Sequence, residues 1–127
     1  MKYILDTYSF VWWHNNTSHL SDKVLAICED MNNQLLFSTA SIIELQVKLQ
    51  TEQLKTNMSI MDMVTLQQTN GLVILPISLA HLACLETLPA HHTNCFERLL
   101  VAQTKVENAI LITKNTQFSA YKIKTIW

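Results

Sequence analysis

Short apolar runs alternate along this chain with longer segments whose apolar residues recur at helical spacing. Tyr3–Leu5 reads as a first strand, and Ser9–Trp13 as a short helix after it. Ser21 is placed to cap a helix through about Met31, with Val24, Leu25, Ile27 and Cys28 clustered on one side. Leu35–Ser38 reads as a second strand, followed by helices over Ser41–Gln50 and Ser59–Asn70. Gly71 closes the latter as the residue past its C-cap. Val73–Ile77 reads as a third strand and Leu79–Glu86 as a helix. Beyond a loop over 88–93, a helix runs from about Cys95 to Glu107, then a strand over Ala109–Thr113 and a fifth candidate at Thr125–Trp127. Strands separated by helices imply a parallel sheet covered on both faces and joined by right-handed crossovers. Ligands of such sheets sit beyond the carboxyl ends of the strands.

Composition narrows the possibilities. A chain of 127 residues is the size of one domain, expected to span 1–127, with no linker or repeat dividing it. Hydrophobic residues make up 49% and charged residues 15%, the reverse of a disordered composition. Nine basic residues against ten acidic ones leave no overall field to draw in nucleic acid, so any such contact must be local. Gly71 is the only glycine, which excludes glycine-rich dinucleotide and P-loop sites and the two-glycine nucleophile elbow. Cys28, Cys84 and Cys95 are odd in number and lack a C-x-x-C pair, so free thiols in a reducing cytoplasm are expected. Met1–Leu5 begins like a signal peptide, but Asp6 cuts the apolar run short, and no segment has the length of a membrane helix.

Three of the ten acids fall where this architecture focuses chemistry. Asp6 follows the first strand. Glu44 sits in the predicted first turn of the helix after the second strand, and Glu97 in the first turn of the helix before the fourth. Asn115, a neutral oxygen donor, lies just past that fourth strand. Carboxylate and amide oxygens suit Mg²⁺ or Mn²⁺ better than zinc, and such an ion activates water for attack at phosphorus. The same residues also have a purely structural reading. Ser41-Ile-Ile-Glu44 has the form of a capping box, Asn94-Cys95-Phe96-Glu97 has it with an Asn cap, and Asp6 is itself a candidate N-cap. Spacing alone leaves both readings open.

Read together, several stretches resemble a bacterial PIN domain of the VapC type, the toxin half of a toxin–antitoxin pair. They are Met1-Lys2-Tyr3-Ile4-Leu5-Asp6-Thr7, Phe10-Val11-Trp12-Trp13, and Ser38-Thr39-Ala40-Ser41-Ile42-Ile43-Glu44-Leu45. The series continues with His91-His92-Thr93-Asn94-Cys95-Phe96-Glu97-Arg98 through Gln103, and with Leu111-Ile112-Thr113-Lys114-Asn115. The resemblance implies a three-layer α/β/α sandwich around a parallel sheet of four to five strands. It also implies a Mg²⁺- or Mn²⁺-dependent endoribonuclease, an antitoxin that blocks the site, a homodimer and a cytoplasmic location. Asp6, Glu44 and Glu97 then become the catalytic and metal-binding acids, with Asn115 as a further ligand and Asn94, Arg98 and Thr113 in support. Asn94, Glu97 and Asn115 stand where the family usually carries aspartates, and they keep open an alternative: a PIN-fold binding or decoy module with a degraded metal site.

Other features have two readings each. His91-His92 reads as structural or at a substrate edge, and Lys114, Lys122 and Lys124 as candidate phosphate contacts near the site. Trp12, Trp13 and the Met58–Met63 segment read as core or as an apolar partner surface, with at least one tryptophan expected in the core.

Overall fold

The computed structural model describes residues 1–91 and 94–127. Its sheet has five parallel strands: β1 (Lys2–Leu5), β2 (Gln34–Ser38), β3 (Val73–Leu75), β4 (Ile110–Ile112) and β5 (Thr125–Ile126), in the order β3-β2-β1-β4-β5. The chain builds outward from β1 through β2 to β3, then returns to the other side of β1 for β4. The strand order therefore reverses at the centre, and the crevice at that switch point opens beyond the carboxyl end of β1. The described residues form three layers. Helices α1 (Thr7–Asn15), α2 (Asp22–Glu29), α3 (Thr39–Gln50) and α4 (Ile60–Thr69) cover one face, and α5 (Leu79–Glu86) and α6 (Cys95–Val106) the other.

The two-residue period of a strand explains why both faces are apolar. Tyr3 and Leu5 join Phe37, Ile112 and Leu45 in one core, while Ile4 joins Leu36, Leu111, Leu100 and Val101 in the other. Phe10 of α1 stacks on Phe37 of β2 with ring centroids 4.0 Å apart, which seats the first helix over the sheet. Of Trp12 and Trp13, of which at least one is expected in the core, both are half-buried and pack against it. Met63 is fully buried, whereas Met58 and Met61 are exposed.

Most helix starts follow the sequence. Ser21, Ser59 and Asn94 are N-caps with side chains accepting backbone N–H bonds, and Gly71 takes φ +96° just past α4. Helix α1 is longer than predicted because Asp6 caps it directly off β1. Helix α3 begins two residues early. Ser38, the last residue of β2, accepts the Ala40 N–H and is the N-cap. Ser41 is therefore inside the helix, its hydroxyl buried without a partner, and Ser41–Glu44 forms no capping box. A 3₁₀ segment over Thr116–Tyr121, capped by Asn115, was not legible as an element.

Helix α5 carries its own capping box, with a histidine in the reciprocal role. The Ser78 Oγ accepts the His81 N–H, and the Ser78 N–H donates to His81 Nδ1 at 3.0 Å. Because Nδ1 accepts, the ring proton sits on Nε2, which donates to Glu107 at 2.8 Å. This bond is the main reason the Glu107 carboxyl is held below the usual range, with Lys2 at 3.6 Å contributing. It ties α5 to the end of α6. His81→Ala should destabilise by about 2 kcal/mol at neutral pH, through the lost reciprocal bond of the capping box and the lost bond to a partly exposed carboxylate. A depressed carboxylate pKa stabilises above its unfolded value and ceases to as pH falls through its folded value. The difference between wild type and variant in urea melts should therefore narrow on acidification below about pH 4.

Candidate active site

Asp6, Glu44, Glu97, Asn94 and Asn115 line one cavity of about 100 Å³ at the carboxyl edge of the sheet, together with Thr7, Tyr8 and Lys48. They arrive from four places in the chain: the end of β1, the second turn of α3, the start of α6 and the third residue after β4. The topology brings together side chains that the sequence separates widely, because β1 and β4 are neighbours in register and α3 packs against α6.

Asp6 is held on both oxygens. Oδ1 accepts the Ser9 N–H at 2.8 Å, and Oδ2 accepts the Thr113 hydroxyl at 2.6 Å. Thr113 in turn accepts the Asn115 N–H at 3.0 Å, so its hydroxyl orients the carboxylate and the chain after β4 together. Burial pushes the Asp6 carboxyl up; the bonds from Ser9 and Thr113 oppose this, and Glu44 adds a small further rise. Desolvation, not the neighbouring acid, is the larger cause of the rise.

Glu44 is only 6% exposed. Oε1 accepts from the Thr7 hydroxyl at 2.5 Å and Oε2 from the Asn94 amide at 3.1 Å. The early start of α3 is what frees this carboxylate from helix capping and turns it into the cleft. Asn94 spends its other end on α6, where Oδ1 accepts the Phe96 and Glu97 N–H groups. Asn115 Oδ1 accepts the Gln117 N–H. Both amides thus cap helical segments as well as lining the cavity.

Arg98 is not part of this constellation. Its guanidinium donates to the Pro89 carbonyl at 2.9 Å and pins the preceding loop instead. The lysine group also divides. Lys122 and Lys124 lie with Lys105 around a separate pocket at the amino ends of β4 and β5, away from the acids. His91 packs edge-on against Tyr121 at 5.0 Å; His92 and Thr93 lie outside the described residues. Sequence reasoning missed Thr7, Tyr8 and Lys48. The signal for Lys48 was present, since it follows Glu44 by four residues and so shares its helix face.

The donors in the cavity are hard oxygens, and among the described residues no Lys or Arg pairs with Asp6 or Glu44 within ion-pair distance. Among the described residues the donors to these two carboxylates are Ser9, Thr113, Thr7 and Asn94, all neutral. A buried and a half-buried carboxylate with no cation partner among the described residues fit a hard divalent cation. Among the described residues no three His, Cys, Asp or Glu side chains stand close enough together to hold an ion by themselves. The fit is therefore to a cation that keeps several waters, with Asp6 and Glu44 nearest to hand.

Comparison with known proteins agrees with this geometry. The PIN domain family model matches residues 3–124. The chain belongs to the PIN domain family. Solved structures similar to this PIN domain include VapBC2 from Rickettsia felis bound to a promoter DNA fragment. The TM-score is 0.76 at 19% identity, over 99% of this chain and 98% of that one. DNA-bound VapBC from Salmonella typhimurium gives 0.71 at 11% identity, covering 99% and 97%. VapBC-1 from nontypeable Haemophilus influenzae gives 0.68 at 16% identity, also covering 99% and 97%. Identities this low speak for the fold. No curated protein matches the chain. The described residues of this PIN domain include no helix long and apolar enough to cross a membrane, and its three cysteines are free.

Proposed function

We propose that this PIN domain is a metal-dependent endoribonuclease, the cytoplasmic toxin of a toxin–antitoxin pair. The observation that carries this reading is the convergence of Asp6, Glu44 and Glu97 on one cavity at the topological switch point, in a chain of a family whose members are generally nucleases. Asp6 and Glu44 would hold Mg²⁺ or Mn²⁺, with Glu97 and Asn115 reaching it directly or through water. When bound, the ion lowers the pKa of a water and stabilises the charge that develops at phosphorus. The protein's part is orientation. Thr113 and the Ser9 N–H fix Asp6, Thr7 and Asn94 fix Glu44, and burial keeps the site's dielectric low.

An antitoxin segment crossing the cleft and a homodimer belong to the same reading. Exposed Ile43 and Val47 on α3, and Met61 and Leu66 on α4, supply apolar surface for such contacts. The alternative, a binding module with a degraded metal site, draws on Asn94 and Asn115, each of which caps a helical segment and carries no charge.

Cleavage of total RNA by wild type, Asp6→Ala and Glu97→Asp, with Mg²⁺ and with Mn²⁺, separates the two. The nuclease reading expects metal-dependent cleavage that Asp6→Ala abolishes. Glu97→Asp should preserve or raise it by restoring the family's shorter arm. Identical metal-independent background in all three proteins would falsify the nuclease reading.

A further inference from the structure

An acidic cleft that acts on a polyanion needs a cation of its own. Among the described residues, the only Lys or Arg lining the acid cavity is Lys48. Lys48 also lines the shallow groove that continues from that cavity along α3 and the start of α6, with Val47, Gln53, Cys95 and Phe96. Glu44, Lys48 and Asn94 are common to both, so this lysine stands on the wall between the acids and the groove. Arg98, the chain's only arginine, is committed to the Pro89 carbonyl.

Lys48 is half-buried, yet among the described residues it forms no ion pair with any carboxylate. Glu44, one turn earlier, gives its oxygens to Thr7 and Asn94 instead. The Lys48 ammonium is held 5.5 Å from the centroid of the Tyr8 ring. Tyr8 follows the Asp6 cap by two residues on α1, and its ring is braced by Trp12 at 6.0 Å. A cation over an aromatic face keeps its charge while losing side-chain freedom. Tyr8 therefore keeps the ammonium at the lip and stops it collapsing onto the acids. With a divalent cation on Asp6 and Glu44, Lys48 would face a phosphodiester at the lip of the cleft.

Resting on the nuclease reading of the cleft, we propose that Lys48 is the group that anchors a substrate phosphate beside the acids, and that Tyr8 is the positioning residue that aims it. The ammonium donates to a non-bridging phosphate oxygen on the groove side of Glu44, and no bond is made or broken by it.

The test measures binding of a short fluorescently labelled RNA in the Asp6→Asn background with Mg²⁺, and steady-state cleavage of the same RNA in the otherwise wild-type protein. Lys48→Gln should weaken binding about tenfold at low salt. It should also lower the slope of log affinity against log salt by about 0.7, the value for one phosphate contact on a single strand. In cleavage, KM should rise with kcat little changed. Lys48→Arg, which keeps both charge and aromatic contact, should restore binding. Tyr8→Leu should weaken binding roughly threefold, Tyr8→Phe should not, and Tyr8→Leu should add nothing to Lys48→Gln.

An unchanged affinity and salt slope in Lys48→Gln would overturn the assignment, as would failure of Lys48→Arg to restore binding. Absence of RNA binding by the Asp6→Asn parent would overturn it too. Additive effects of the Tyr8→Leu and Lys48→Gln changes would overturn the positioning role of Tyr8. Lys48-dependent binding by a protein that cleaves nothing with either metal would sustain the anchor and remove the nuclease reading.

Discussion

Asp6→Asn will melt at a higher temperature than the parent in metal-free buffer at neutral pH, and it will lose RNA cleavage by at least about 10²-fold. Both effects come from one desolvated charge. The carboxylate of Asp6 is desolvated between β1, α1 and β4, and no cation among the described residues offsets it. Its two hydrogen-bond partners survive the change. An asparagine oxygen caps α1 as well as a carboxylate does, and its amide can donate to the Thr113 hydroxyl that now donates to Oδ2.

The pH dependence follows from the direction of the shift. A carboxyl whose folded pKa lies above its unfolded value costs stability once it ionises. That cost is full above the folded pKa and absent below the unfolded one, near pH 4. The parent should therefore gain stability as pH falls through the raised Asp6 value, while Asp6→Asn lacks that gain. At this chain length each kcal/mol relieved is worth about 4 °C in Tm. Thermal melts across that range, with and without Mg²⁺, measure it. A variant that melts at or below the parent at neutral pH would show that the Asp6 charge is not a cost to the fold.

Asn94→Asp should reverse sign with metal. Without it, the substitution should destabilise by about 2 kcal/mol, because the donor to Glu44 Oε2 becomes a second carboxylate at the same 3.1 Å. The cap on α6 persists, since Asp and Asn cap equally well, and a negative charge suits a helix N-terminus. With Mg²⁺ or Mn²⁺ present, the added carboxylate supplies a third charge close to Asp6 and Glu44. Metal affinity should then rise on the order of tenfold, and stability should grow with metal concentration more steeply than in wild type. Melting curves over a metal titration report both halves. A variant as stable as wild type without metal, or no more responsive with it, would argue that Asn94 serves the helix alone.

A good part of this was legible in the chain. The alternation of apolar runs with helical patterns determined a parallel α/β sandwich, because strands buried on both faces must be apolar throughout, as Tyr3-Ile4-Leu5 are. Caps at Ser21, Ser59 and Asn94 and the turn at Gly71 are local chemistry, complete within a few residues, and the sequence determined them by itself. The placement of Asp6 after the first strand was local too. What Glu44 does was not. Its capping box with Ser41 was the best local solution, and it lost to the direct passage of β2 into α3 at Ser38, which buries Glu44 against Thr7 and Asn94. That choice depends on packing between α1, α3 and α6, which no window of a few residues contains. The same holds for the cations. Arg98 adjoins Glu97 in the chain yet turns to Pro89, Lys122 and Lys124 fall at the far edge of the sheet, and Lys48 lines the cavity of the acids. The sequence determines that a charge exists, whereas only the crossover connections of the sheet decide which charges share a cavity, since those connections set the edge on which each helix begins.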